Sequence, residues 1–364
     1  MSRRIIIAGG GTGGHIFPAL AIAGALKKMD SSIEILFVGA KGKMEMEKIP
    51  QAGFSIEGLD IAGFDRSSLI KNIGLPWKLL KSFWQVNRVF RQFKPDGVLG
   101  VGGYSSFPVL RMAQFLGIPT FLHEANSYAG KSNQLLAKKV TCVFAGVTGL
   151  DRFFPAEKVF YTGNPVRSVI TESLPTKELS RQHFQLAPDP LTLLVVGGSL
   201  GARAINEAMR DSIDLLMTNG IQVIWQTGKH FAAEAEQVCK GKKGVWTGAF
   251  IQQMEMAYAA ADVIIARAGA MTVAEIAVVA KPAIFVPFPY AAEDHQTANA
   301  LQLVNQQAGL MIPDQEVSKK LIPAMIELCR DEEKRKKMIE QIRPLGIRDA
   351  ADRVAAEILK RLNK

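Results

Sequence analysis

Short β-branched apolar runs recur along this chain. Each ends in glycines or small polar residues, and an amphipathic stretch follows. Residues 3–8 read as a strand, 9–15 as the turn after it and 18–29 as a helix; the next strand is 33–38, ending at Gly39-Ala40-Lys41. Further strands are expected at 97–100, 120–122 and 159–162. The design then begins again, with a strand at 191–196, a glycine turn at 197–203, a helix from Ala204 and strands at 222–226 and 245–250. Residues 262–266 lead into the turn 267–270 and a helix at 272–280, which Lys281-Pro282 stops. A buried strand at 283–287, a polar loop at 290–294 and a helix from about His295 follow. Strand–turn–helix units with nearly continuous apolar strands belong to parallel sheets covered on both faces. The prediction is an α/β chain of two similar domains, 1–162 and 168–343, joined by a linker at 163–167, with a helix in 346–364 packing back on the first.

In such sheets ligands bind beyond the carboxyl ends of the strands, where helix N-termini aim N–H groups at anions. The candidate chemistry falls there. Gly9, Gly11 and Gly14 satisfy G-x-G-x-x-G, so a dinucleotide-binding domain is a rival reading. That fingerprint wants an acidic residue about twenty positions on, and the second strand ends without one. His15, just beyond the glycines, is a general-base candidate, with a packing role as the alternative. A second glycine turn is Gly100-Val101-Gly102-Gly103-Tyr104, and the strand 120–122 delivers His123-Glu124-Ala125-Asn126. His123 and Glu124 are read as a buried hydrogen-bonded pair that props the loops. Gly197-Gly198-Ser199 at a helix start suits a diphosphate, and Ile251 falls at the sheet edge, where a base can lie. Thr272 and Glu275 form either a capping box or the start of a ribose site, and Asp294 has an N-cap reading of its own. Gln296 and Asn299 can both donate to and accept from sugar hydroxyls. The set suits a sugar attached to a nucleotide.

Composition narrows the picture. At 364 residues the chain is long enough for two cores. No apolar run reaches the roughly 18 residues that span a bilayer, and Ile5-Ile6-Ile7-Ala8 breaks at once into glycines, as a strand does and a signal peptide does not. The 3 cysteines, Cys142, Cys239 and Cys329, are far apart and read as reduced core thiols of a cytoplasmic protein. The net charge of +10 points to an anionic partner, and its distribution is uneven: 66–95 holds seven Lys and Arg and no acid. A helix starting near Pro76 puts Leu79, Phe83, Val86, Phe90 and Phe93 on one face. Trp77, Lys81, Trp84 and Arg88 fall opposite, with Leu80 beside them. Tryptophans among cations suit an anionic membrane surface; packing on a neighbouring element is the alternative. Leu69, Ile70 and Ile73 in the upstream loop add to that apolar surface.

Arg267-Ala-Gly-Ala-Met-Thr-Val-Ala-Glu275, Phe285-Val-Pro-Phe288 and His295-Gln-Thr-Ala-Asn-Ala300 resemble the donor-binding region of the MurG family, the N-acetylglucosaminyltransferases that make the lipid-linked disaccharide precursor of peptidoglycan. The resemblance continues through 10–18, 102–104, 123–126, 163–167, 197–203 and 250–251. It implies a GT-B glycosyltransferase architecture of two Rossmann-like domains facing a central cleft. The implied reaction is inverting transfer from UDP-N-acetylglucosamine to the 4-hydroxyl of the muramoyl sugar of lipid I. By the same resemblance Ile251 would bond uracil and Glu275 the ribose. Ser199 and the amides of Ala270, Met271, Thr272 and Val273, with Ala274 beside them, would hold the diphosphate. Gln296 and Asn126 would hold the sugar, and Arg167 would touch the nucleotide. By the same resemblance Thr12, Gly13 and Gly14 would line the acceptor side of the cleft, and they are counted with the donor-binding set. His15 becomes the catalytic base, because the donor occupies the second domain and the base must come from the first. Trp77, Leu80, Lys81 and Trp84 become the membrane contact of a peripheral enzyme on the cytoplasmic face of the plasma membrane, with other cell-wall synthesis proteins as further partners.

The sequence contains no Asp-x-Asp and no Cys/His spacing for zinc, so the expectation is no cofactor and no metal. Two other classes compete. A UDP-sugar epimerase shares the fold but has no need of a basic, tryptophan-bearing face. A nucleic-acid-binding protein is suggested by charge alone, and no nucleic-acid motif accompanies it, so nucleic acid is not an expected partner.

Overall fold

The structure is a computed structural model that describes residues 2–63, 75–198 and 200–363. Ser199 and the loop residues Leu69, Ile70 and Ile73 lie outside the described residues, as do Arg66 and Lys71 of the basic tract. The chain divides into two compact units, 1–167 with 348–364, and 168–347.

The first unit runs β1 (Arg4–Ala8), α1 (Gly13–Met29), β2 (Glu34–Ala40), α2 (Glu45–Gln51), β3 (Ser55–Leu59), α3 (Leu75–Phe93), β4 (Gly97–Gly100), α4 (Ser106–Phe115), β5 (Thr120–Glu124), α5 (Lys131–Ala137), β6 (Cys142–Ala145) and β7 (Val159–Tyr161). Its strands form one parallel sheet in the order β3-β2-β1-β4-β5-β6-β7. Ile5 pairs with Ile35 on one side and Gly97 on the other. Alternate residues feed opposite cores. Ile5 and Ile7 pack with Ile22 and Leu26 of α1, whereas Ile6 and Ala8 pack with Val86 and Phe90 of α3 and Val109 and Leu110 of α4. Burial on both faces explains why β1 reads as an unbroken apolar run.

The second unit runs α6 (Ser168–Thr171), α7 (Lys177–His183), β8 (Thr192–Val196), α8 (Arg203–Thr218), β9 (Gln222–Gln226), α9 (Ala232–Cys239), β10 (Val245–Gly248), α10 (Met254–Ala260), β11 (Val263–Ala266), α11 (Ala270–Val279), β12 (Ala283–Phe285), α12 (His295–Val304), β13 (Leu310–Met311), α13 (Val317–Arg330) and α14 (Glu332–Ile342). Its sheet, also parallel, has the order β10-β9-β8-β11-β12-β13. The final helix, α15 (Ala350–Leu362), belongs to the first unit, where Val354, Ala355 and Ile358 join the core that α1 covers.

Two helices start earlier than their sequences suggest. The first was expected at Pro18, a residue favoured at a helix start. The carbonyl of Thr12 accepts from His15 and Ile16 N–H, which closes a turn upstream and puts His15 in the first turn of α1. The second was expected at Thr272. Gly269 is the N-cap instead, and its carbonyl accepts from Val273 N–H at 3.0 Å. Thr272 is therefore inside the helix, and the Thr272–Glu275 capping box does not form.

A buried ion pair fixes the start of the second sheet. Arg181 of α7 is 2% exposed, and its guanidinium donates to Asp262 Oδ2 at 2.7 Å; the same oxygen accepts from Thr192 N–H at 2.8 Å. Lys177 completes the contact on Oδ1. Removing the carboxylate strands a buried guanidinium, so Asp262→Ala should destabilise the second unit by about 3 kcal/mol. Chemical denaturation measures this; a loss under about 1 kcal/mol would mean that water takes over the role of Asp262.

Candidate functional site

In an open parallel sheet the ligand crevice forms where strand order reverses. In the first unit that point lies between β1 and β4. The two turns there touch through backbone: a Cβ on Gly103, whose φ is +83°, would lie 2.6 Å from Gly10 O. Gly102 packs as tightly on the imidazole of His15, where a Cβ would fall 2.8 Å from Cδ2 and Nε2. His15 Nδ1 lies 3.0 Å from Gly10 O and 3.4 Å from Thr12 Oγ1. A carbonyl can only accept, so the ring proton sits on Nδ1 and Nε2 is the basic nitrogen. Thr12 and Gly14 are exposed and Gly13 half-buried at the same helix start.

The glycine turn is itself held by an acid that the sequence reading missed. Glu45, at the start of α2 and 1% exposed, accepts from Gly11 N–H at 2.8 Å and Ala40 N–H at 3.0 Å. Its carboxyl fills the space where a Cβ on Gly10 or Gly39 would go. The acid absent from the end of β2 is thus supplied five residues later, and backbone amides occupy both of its oxygens. That weakens the dinucleotide reading, which needs this carboxylate for a ribose.

At the end of β5, Glu124 and His123 do not pair. Glu124 accepts from Asn126 N–H at 3.1 Å, Gly130 N–H at 2.9 Å and Asn133 Nδ2 at 2.9 Å, so it alone organises the loop and the start of α5. His123 is 1% exposed, and neither ring nitrogen has a hydrogen-bond partner among the described residues. Burial first, and the charge of His15 second, lower its pKa to about 3. Asn126 is half-buried and turns its amide towards Glu124 Oε1 at 3.4 Å. The guanidinium of Arg167 stands 4.9 Å over the ring of Phe17 on α1.

In the second unit the order reverses between β8 and β11. The turn after β8 again meets a neighbouring turn through glycine: Gly228, with φ +76°, has no room for a Cβ against Gly201. From β11 the chain passes through Gly269 into α11, leaving the amides of Ala270, Met271 and Thr272 without partners inside the helix. Val273 is excluded from that set, because its amide is spent on Gly269 O. Ala274 follows in the next turn. Glu275 is 8% exposed, and its Oε2 accepts from the hydroxyl of Tyr258 at 2.8 Å. Gln296, near the start of α12, uses Oε1 to accept from Ala268 N–H at 3.2 Å and Phe288 N–H at 2.9 Å, which leaves its amide nitrogen for other work. Asn299 donates to Ala268 O at 3.2 Å. Asp294 does occupy the N-cap position of α12, but with φ +48° and with its carboxylate accepting from the Thr297 hydroxyl rather than from a helix amide. Ile251 lies beyond β10, is 3% exposed, and donates its N–H to Gln226 Oε1 at 3.0 Å.

Two family models cover most of the chain: the glycosyltransferase family 28 N-terminal domain over residues 5–145 and the C-terminal domain over 192–354. A UDP-N-acetylglucosamine–N-acetylmuramyl-(pentapeptide) pyrophosphoryl-undecaprenol N-acetylglucosamine transferase of Parabacteroides distasonis is 46% identical over 363 residues, 99% of each chain. The crystal structure of Acinetobacter baumannii MurG superposes with a TM-score of 0.77 at 29% identity, covering 98% of this chain and 99% of that one. This chain belongs to the MurG family of glycosyltransferases. It has the GT-B architecture of that family. A UDP-N-acetylglucosamine 2-epimerase also superposes, at TM-score 0.66 and 14% identity over 100% of this chain and 97% of that one, a likeness of fold alone.

The sequence places His15 just beyond the first glycine turn and Glu275 and Gln296 near the starts of two helices; α12 keeps Gln296 there, whereas Glu275 is the sixth residue of α11, and Glu45, Gln226 and Tyr258 were missed. Each of these three has a partner 17 to 34 residues away, Gly11, Ile251 and Glu275 respectively, which local spacing does not signal. On α3 the tryptophans do not pack on a neighbour among the described residues: Trp77 is 76%, Leu80 61% and Trp84 66% exposed. Lys81 is not a lone cation, because it shares Asp60 with Lys41, each at 2.9 Å.

His123 makes a pH dependence testable. Its folded pKa of about 3 lies below the ordinary 6.5, so between those values the unfolded chain binds the extra proton. Stability from this group is complete above pH 6.5 and declines as pH falls towards 3, with a slope of at most about 1.4 kcal/mol per pH unit. His123→Phe should flatten the stability profile between pH 6.5 and 4 in urea unfolding. An unchanged slope would assign the acid loss to other groups.

Proposed function

We propose that this chain transfers N-acetylglucosamine from UDP-N-acetylglucosamine to the 4-hydroxyl of the muramoyl sugar of lipid I, with inversion, giving lipid II for peptidoglycan. The observation that carries the reading is the grouping at the second switch point. Three helix-start amides, a buried carboxylate held by Tyr258 and an amide nitrogen on Gln296 offer partners for a diphosphate, a ribose and a sugar in one place. Ile251 and Gln226 close the side suited to uracil. The helix starts stabilise the charge that builds on the leaving diphosphate, with Ser199 and Arg167 as further contacts. Asn126 is a contact for the sugar, and Thr12, Gly13 and Gly14 serve the acceptor.

In the chemical step the acceptor oxygen attacks the anomeric carbon from the face opposite UDP. The new glycosidic bond forms as the bond to the phosphate oxygen breaks, and UDP leaves with that electron pair. His15 Nε2 takes the hydroxyl proton, the role for which the Nδ1 bond to Gly10 O prepares it. Incubation with labelled UDP-N-acetylglucosamine and a lipid I analogue tests the reading: label should pass to the analogue. Conversion of the donor to another UDP-sugar in the absence of acceptor would favour the epimerase class.

The site of action is the cytoplasmic face of the plasma membrane, bound peripherally. No helix among the described residues is long and apolar enough to cross a membrane. The support for a surface contact is the exposed row Trp77, Leu80 and Trp84 on α3. Phe115 at the end of α4, Leu116 after it, and Leu135 with Lys131, Lys138 and Lys139 around α5 are further exposed apolar and basic residues of the same unit. Other cell-wall synthesis proteins are further partners in this reading.

Two outcomes follow. His15→Ala should lower turnover by about 10²–10⁴-fold with UDP-N-acetylglucosamine affinity near wild type, measured by steady-state kinetics and donor binding; a drop of only a few-fold would exclude it as the base. Trp77→Glu combined with Trp84→Glu should abolish sedimentation with anionic vesicles while sparing transfer to a short, water-soluble lipid I analogue. Joint loss of both would point to a structural role for the tryptophans.

A further inference from the structure

Tyr258 sits on α10, before β11, and Glu275 on α11, after it. The phenol is 1% exposed and donates to Glu275 Oε2 at 2.8 Å. Packing does not require this hydroxyl, since phenylalanine has nearly the same shape. A buried phenol and a buried carboxylate each cost desolvation, and a charge-assisted hydrogen bond between them offsets part of it. The bond also has a directional effect. It fixes the carboxyl of Glu275 from the protein side, before any nucleotide arrives, and a group already oriented loses less rotamer freedom on binding.

We propose that Tyr258 is a positioning residue that orients Glu275 for the ribose diol and thereby sets the preference for a ribonucleotide over its 2′-deoxy counterpart. The proposal rests on the reading of Glu275 as the ribose ligand. A purely structural Tyr258 has a different signature. Loosening the site would weaken every nucleoside diphosphate alike, whereas a misaimed Glu275 weakens the ligand that bears the 2′-hydroxyl most.

Calorimetric affinities for UDP and 2′-deoxy-UDP, with thermal melts, should be compared in the full chain, Tyr258→Phe and Glu275→Ala. Tyr258→Phe should weaken UDP by about 5-fold or more and 2′-deoxy-UDP by less than about 2-fold, so that the ratio of the two affinities shrinks. Glu275→Ala should shrink it at least as far. If Glu275→Ala collapses the ratio and Tyr258→Phe leaves it at the wild-type value, the positioning role is overturned while the ribose reading stands. If neither variant changes the ratio, the ribose reading falls and takes the proposal with it. Tyr258→Met, which fills the space without a hydroxyl, gives the same comparison if the phenylalanine variant folds poorly.

Discussion

Both candidate sites depend on two stretches of backbone meeting with no side chain between them. A parallel sheet splays its strands apart where their order reverses, and the turns that leave those strands must close over the gap. In the first unit Gly103, after β4, lies against Gly10 O, after β1; in the second the close pair, Gly228 against Gly201, joins the turns after β9 and β8, beside the switch point rather than across it. Any Cβ at these points would push the turns apart. In the first unit it would also displace His15, whose Nδ1 partner is the carbonyl of Gly10 itself. The geometry of the basic nitrogen is thus a property of glycine packing on the turn of the neighbouring strand.

Turns brought this close leave amides that the sheets do not pair, and side-chain acids and amides accept from them. Glu45 takes Gly11 and Ala40, Glu124 takes Asn126 and Gly130, and Gln296 takes Ala268 and Phe288. Each such group has its desolvation offset by two or more donors, an arrangement that stiffens the loop it serves. The ligand-facing atoms are consequently mounted on a fixed frame. The Glu275 carboxylate and the Gln296 amide are both held by the protein and, in the proposed reading, both ligand groups; the carboxylate is held by a phenol, and so that partner matters chemically.

Most strands were legible because burial on both faces demands runs such as Ile5-Ile6-Ile7-Ala8, and the glycine turns because nothing else fits there; β3, β6 and β13, of two to five residues, were not expected. Helix starts were less so. Local cap preferences favoured Pro18 and Thr272, whereas the carbonyls of Thr12 and Gly269 close the first turns upstream. The framing residues were not legible at all. Glu45, Gln226 and Tyr258 look like ordinary members of a helix or strand, and their roles exist only after long-range closure. His123 was legible as a buried imidazole at a strand end, but its lack of a hydrogen-bond partner among the described residues was not.

The placement of α15 has a bearing on how the chain acquires its structure. Val354, Ala355 and Ile358 belong to the same core as Ile5, Ile7, Ile22 and Leu26, yet the whole of the second unit lies between them in sequence. The second unit is continuous and can condense as it leaves the ribosome. The first cannot finish, although it is made first: until α15 emerges, one face of α1 and of the sheet stays open to water. Synthesis order and completion order are therefore reversed. For the interval between them the nascent chain carries an apolar face that chaperones, or another nascent chain, can find.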